Sequence, residues 1–256
     1  MFNFRQDETI KNNIDFYIQN LTVQLSSQFM SDLETLISQV QQEAQREEFP
    51  IDVPVYQSAG LEPTQPILSA GNLASPLCFF GRDLGKDEVH AQQPLIGASG
   101  TMVRQGFYYA IHQDKAPSRE DLDKTTIDRV LLTNTVPYKP PGNKAYLMKV
   151  KKRFRPFLEQ LFVFHWQGDK IITLGTEAFK WFAPYGQKGE VNDFYADADN
   201  RFQNQLTVNI SATDDAGMSH TKAIALLPLP HPSPLNQKYY ALFPKMLQHR
   251  LSQVDF

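Results

Sequence analysis

Cysteine is almost missing from this chain: Cys78 is the only one in 256 residues. A single thiol excludes an internal disulfide, and it excludes an all-cysteine metal site or iron–sulfur cluster built within one chain. Long hydrophobic runs are missing too, since none approaches the roughly 18–20 apolar residues of a membrane helix. The first residues carry no basic head followed by an apolar stretch, so no signal peptide and a cytoplasmic location are expected. His90, His112, His165, His220 and His249 lack ligand spacing, so no metal is expected, nor another cofactor. Positive charge is not in excess: 25 Lys and Arg stand against 28 Asp and Glu, a formal net charge of −3. On its own, that balance speaks against a nucleic-acid partner.

What is present is an ordinary globular composition, 41% hydrophobic and 21% charged, which rules out collagen-like, disordered and coiled-coil classes. The length suits one large domain, or one domain with an appendage. The charge total hides a local run. Lys139, Lys144, Lys149, Lys151, Lys152, Arg153 and Arg155 follow one another with no acid between them. Two readings stay open for it, a solvated helix face or a surface for a polyphosphate.

Apolar residues recur at spacings of three and four across 5–48, without Pro or Gly, which predicts one long helix or two. Residues 49–76 are rich in Pro, Gly and Ser and predict a linker. The division is then a helical extension with linker, 1–60, packing on an α/β domain, 61–256. Four uniformly apolar runs follow: Leu77–Phe80, Val130–Thr133, Lys170–Leu174 and Ala223–Leu227. Runs without alternation suit strands buried on both faces of a parallel sheet. Helical patterns lie between and after them, at Ser99–His112, Ala145–Phe164 (restarting at Pro156), Thr176–Phe182 and Gln237–Leu251. This alternation predicts an α/β, doubly wound fold. Within 190–211, Asp193–Tyr195 and Gln205–Ile210 flank a turn and suggest a hairpin insertion.

Ligands of open α/β sheets sit beyond the carboxyl ends of the strands, so the residues just after each run carry the chemistry. They are Gly81–Gly85 after the first, Asn134 and the segment to Asn143 after the second, Gly175-Thr176 after the third, and Pro230–Asn236 after the fourth. An acid, Asp83, an amide, Asn134, and an imidazole, His231, would meet at one rim. Each has a plainer reading: Asp83 as a cap, Asn134 in a tight turn, His231 as a stiff-loop residue between prolines.

These segments resemble the uracil-DNA glycosylase superfamily over most of 67–250. Gly81 to Gly97 keeps the frame of its thermophile-type, iron–sulfur branch, G-E-A-P-G-x-x-E-D-x-x-G-x-P-F-V-G, with Gly81, Gly85, Glu88, Pro94 and Gly97 in register. Leu132–Asn143, Arg155–Glu159 and Ile171–Gly175 are similar to that branch's later motifs. His231-Pro232-Ser233-Pro234-Leu235 resembles the H-P-S-P-L of the cluster-free branch. The resemblance implies a three-layer α/β/α fold with a four-stranded parallel sheet. It also implies a monofunctional DNA glycosylase, acting as a monomer on DNA that contains uracil or another deaminated base.

In that reading Asp83 and His231 are catalytic, and Gly81, Arg82, Gly85, Leu95, Asn134, Gly175 and Ser233 bind substrate. Leu235, Lys139, Asn143 and Lys144 contact DNA, with Leu235 as the apolar wedge. The sequence departs from the pattern at three points. Arg82 stands where the iron–sulfur branch has its acid, although Asp83 matches the acid of the cluster-free branch. Leu95 stands where an aromatic residue stacks on uracil. The cluster cysteines are absent, and the N-terminal helical segment is expected to supply the stability a cluster gives elsewhere. The alternatives are a non-catalytic member that binds nucleic acid or a free nucleobase, and a hydrolase of small nucleosides.

Overall fold

The structure is a computed structural model that describes residues 32–254. The earlier part of the expected 5–48 helix lies outside the described residues. Helix α1 covers 32–46, and its apolar face enters the core: Leu36, Val40 and Ala44, four residues apart, are all buried. They share a cluster with Tyr56, Tyr138, Tyr146 and Phe154 of the α/β body. Phe49, just beyond the helix, sets its ring 5.3 Å from Tyr138 and 5.0 Å from Phe154.

The segment read as linker is more ordered than its composition predicts. It holds helix α2 (Val53–Ser58), with a Pro in its first turn, and a short strand β1 (Ser69–Gly71). Strands β2 (Leu77–Gly81), β3 (Leu131–Asn134), β4 (Lys170–Leu174), β5 (Leu206–Thr213) and β6 (Ser219–Leu229) complete one sheet in the order β1-β3-β2-β4-β6-β5. The four expected strands are its parallel centre. The expected four-stranded, all-parallel sheet is nevertheless a six-stranded mixed one, because β1 and β5 add antiparallel edges. Neither edge has an apolar run. β1 is three half-buried residues, and β5 alternates, burying only Val208, Ile210 and Ala212. The predicted hairpin is also corrected: 190–196 is helix α8 (Glu190–Ala196), and β5 turns back onto β6 instead.

Alternation along each central strand feeds two faces. Phe79 meets Phe107 of α4 (Ala98–His112) at 6.0 Å on one side. Phe80 meets Trp181 at 5.3 Å and Phe182 at 5.1 Å on the other, beyond α7 (Thr176–Lys180). Each such ring contributes on the order of 1.5–3 kcal/mol by leaving water. Helices therefore cover both faces. α10 (Phe243–Leu251) joins α4, while α6 (Met148–Gln160) lies with α1 on the opposite side.

The helices differ from expectation for local reasons. α6 runs straight through Pro156, which is exposed on its outer side, and ends in a π turn at Leu161–His165. The last helix is two, α9 (Gln237–Tyr240) and α10, the second opened by Pro244. α3 (Lys86–Ala91) and α5 (Arg119–Arg129) carry too little apolar patterning to be read in advance; α5 buries only Leu122 and Thr126.

Candidate active site

The carboxyl ends of β2, β3, β4 and β6 open on a cavity of about 1210 Å³. Gly81, Arg82, Asp83, Gly85, Leu95, Asn134, Lys139, Gly175, His231, Ser233 and Leu235 all line it. Residues far apart in sequence thus meet where the strand order predicts. Lys144 is exposed and does not line the cavity; Asn143 lies in the 3-10 turn Pro141–Asn143.

Register sets the first two groups. Gly81 of β2 pairs with Asn134 of β3, and a side chain on Gly81 would meet the Asn134 amide at 3.2–3.4 Å. Asn134 is 3% exposed, and its Oδ1 has no hydrogen-bond partner among the described residues. Asp83, two residues after Gly81, is as deeply sunk, with its side chain 3% exposed. Oδ2 accepts from Arg82 Nε at 2.7 Å, while Oδ1 is buried without a hydrogen bond of normal geometry among the described residues, although the Tyr146 backbone N–H bears on the carboxyl and helps to lower its pKa. Burial raises the Asp83 pKa, and the nearby charges of Arg82 and Lys151 oppose that rise.

His231 arrives on the loop after β6. Its chain position is held by Ser233 N–H and the Asn236 amide, which donate to its carbonyl at 2.9 and 3.2 Å. Gly175 packs beneath it at φ +93°, where a side chain would touch the His231 Cβ at 3.0 Å. His231 keeps an exposed edge, yet enough protein crowds its ring that burial, and then the Arg82 charge, hold its pKa below 6.5. Leu235 projects from the same loop with 94% of its surface exposed.

One carboxylate ties the remaining loops together. Glu88 accepts from Gly85 N–H and from Gly97 N–H, one on each oxygen, both at 3.0 Å. Between those clamps, Leu95 takes φ +58° and is buried against the cavity, its carbonyl held by Arg104 Nε at 2.8 Å. Gly100 lies so close that a side chain there would overlap the Leu95 carbonyl.

Most of the basic run is engaged by the protein's own groups, part of it buried and part at the surface. Lys139 is 3% exposed and pairs with Asp52 at 2.5 Å. Lys149 pairs with Glu47, Lys151 with Glu177 and Arg153 with Glu43. Arg155 stacks on Trp181 at 4.5 Å. Lys151 instead bears on the site from behind, as one of the charges opposing the rise of the Asp83 pKa. Among the described residues no cluster suits a metal ion, and no helix is long and apolar enough to cross a membrane.

A family model, the Uracil DNA glycosylase superfamily, matches residues 68–254. The chain belongs to that superfamily. No curated protein matches it. The superfamily match begins just before β1 and spans all six strands, so every strand end that reaches the cavity falls within it. Sequence reasoning missed one part of this glycosylase-type cavity. Tyr195, Arg201, Phe202 and Tyr239 also line it, and no motif joins them; only the fold of α8, the turn after it and α9 does.

Proposed function

We propose that the chain is a monofunctional DNA glycosylase that hydrolyses the N-glycosidic bond of uracil, or of another deaminated base, in DNA. The observation that carries this reading is a pair of buried acceptors without a well-formed hydrogen bond among the described residues, Asp83 Oδ1 and Asn134 Oδ1, on one cavity with His231. Buried polar atoms are almost always satisfied, so two orphans in a cavity wall mark groups that a ligand completes. A flipped uracil offers N3–H to the Asn134 oxygen and O4 to its amide, a pattern that cytosine reverses.

The chemistry follows from the charges. As the C1′–N1 bond breaks, its electron pair leaves with uracil and positive charge gathers on the sugar. Asp83, as carboxylate, stabilises that sugar and takes a proton from the water whose oxygen adds to C1′. Neutral His231 donates its N–H to uracil O2 and steadies the departing anion. Leu235 fills the stack the base has left.

The test is excision from a uracil-containing single-stranded oligonucleotide, read as alkali-sensitive abasic sites under single-turnover conditions. Asp83→Asn is expected to slow it by about 10²–10³-fold, and His231→Ala by about 10²-fold or more. No abasic product at enzyme excess overturns the reading.

A second reading, a member that binds nucleic acid or a free nucleobase without cleaving, is favoured by the Arg82–Asp83 ion pair, which engages one oxygen of the acid. Tight binding of the same oligonucleotide without excision would establish it.

A further inference from the structure

A second stretch of the cavity wall is cationic and aromatic. The Arg201 guanidinium lies 5.0 Å from the centre of the Tyr195 ring and 4.9 Å from that of Phe202. Its Nη1 donates to the Tyr195 carbonyl at 2.9 Å, and its Nη2 reaches the Tyr239 hydroxyl at 3.5 Å. Its Nε is buried without a hydrogen-bond partner among the described residues. Of the other cations lining the cavity or set against its acid, Arg82 is matched by Asp83, Lys139 by Asp52 and Lys151 by Glu177, while Lys86, at the opposite loop, forms no ion pair among the described residues. Arg201 forms no ion pair among the described residues. Aromatic faces orient a guanidinium without neutralising it, and the exposed Asp197 feels the Arg201 charge without pairing with it, so that charge stays available to an anion.

Tyr239 extends the patch outward. Lys238 sets its Nζ 5.0 Å from the Tyr239 ring centre. Lys238 and Arg201 together draw the Tyr239 hydroxyl below the usual phenol range. A guanidinium edge, an acidified hydroxyl and an ammonium in sequence match the acceptor oxygens of a phosphate. The patch also continues the loop of Leu235. A strand into which Leu235 inserts therefore runs past Tyr239 and Lys238.

We propose that Arg201, Tyr239 and Lys238 form a phosphate subsite that holds the DNA backbone beside the flipped nucleotide. This inference rests on the DNA-glycosylase reading of the cavity.

The probe is a fluorescein-labelled single-stranded oligonucleotide with one 2′-fluoro-deoxyuridine, which resists cleavage, bound by the full chain across a salt series. Arg201→Gln is expected to weaken binding roughly tenfold at low salt. It should also flatten the slope of log affinity against log salt by about 0.7, the loss of one phosphate contact on a single strand. Arg201→Lys should restore most of the slope. Replacing single linkages by neutral methylphosphonate should weaken the parent protein at one linkage next to the uridine, and should not weaken Arg201→Gln further there. Should Arg201→Gln fail to fold, Lys238→Gln and Tyr239→Phe are read the same way, with smaller effects.

An unchanged slope, or equal methylphosphonate penalties in both proteins, overturns the subsite. So does a defect confined to free deoxyuridine monophosphate, which would assign the phosphate to a nucleotide and not to a strand. Excision with an unchanged slope overturns the subsite alone. A changed slope without excision keeps the subsite and overturns the glycosylase activity.

Discussion

Asp83 sits at 3% side-chain exposure with one oxygen on Arg82, and burial outweighs that cation, so its pKa lies above the ordinary 3.8. The folded protein therefore holds a proton on Asp83 more readily than the unfolded chain does. The stability this gives is fully present below 3.8 and is lost as pH rises through the raised folded pKa. At neutral pH the carboxylate is a standing cost. Asp83→Asn should raise the thermal midpoint at pH 7 by a few degrees while it abolishes most excision, and a lowered midpoint would contradict the assignment. Arg82 lowers the pKa of both Asp83 and His231. Arg82→Gln should accordingly move the acid limb of a single-turnover pH–rate profile to higher pH, because the proposed mechanism needs the acid ionised and the imidazole neutral. The residues of this chemistry were legible because each follows a buried strand in a contiguous motif. Arg201 and Tyr239 were not, since they come from a turn after α8 and from helix α9, which only tertiary structure brings together.

The apolar runs betray the central strands because those are covered on both faces, which removes the polar half of the strand pattern. The same physics hides the edges: β1 needs only Ser69, Ala70 and Gly71 to pair with β3. Helix α1 was legible from its spacing, but its contribution is a matter of packing. Leu36, at 2% exposure in the cluster of Tyr138 and Phe154, should cost about 2–5 kcal/mol as Leu36→Ala in urea unfolding. A loss near zero would show that the helix is not part of the core. The loop element has its own keystone. Glu88→Ala strips the acceptor from the Gly85 and Gly97 amides and should cost about 2 kcal/mol, with excision reduced further than stability alone explains.

For the molecule as a whole, a net charge of −3 and a seven-cation run looked contradictory. Acids distant in sequence resolve it, because Asp52, Glu43, Glu47 and Glu177 each take one member of the run. Cations of one run therefore fall into two classes with opposite phenotypes. Lys139→Ala leaves Asp52 partly buried without its partner and should destabilise by about 3 kcal/mol. Lys144→Gln, on an exposed side chain, should leave the unfolding midpoint unmoved and only weaken oligonucleotide binding. The paired Glu88 oxygens also bear on how the molecule assembles. They close the chain from Gly85 to Gly97 into a short ring, whose closure entropy is small, whereas Asn134 and His231 reach the cavity only when strands remote in sequence have paired. The floor of the cavity can thus form early from local chain, and Asn134 and His231 are delivered to it only as the sheet closes.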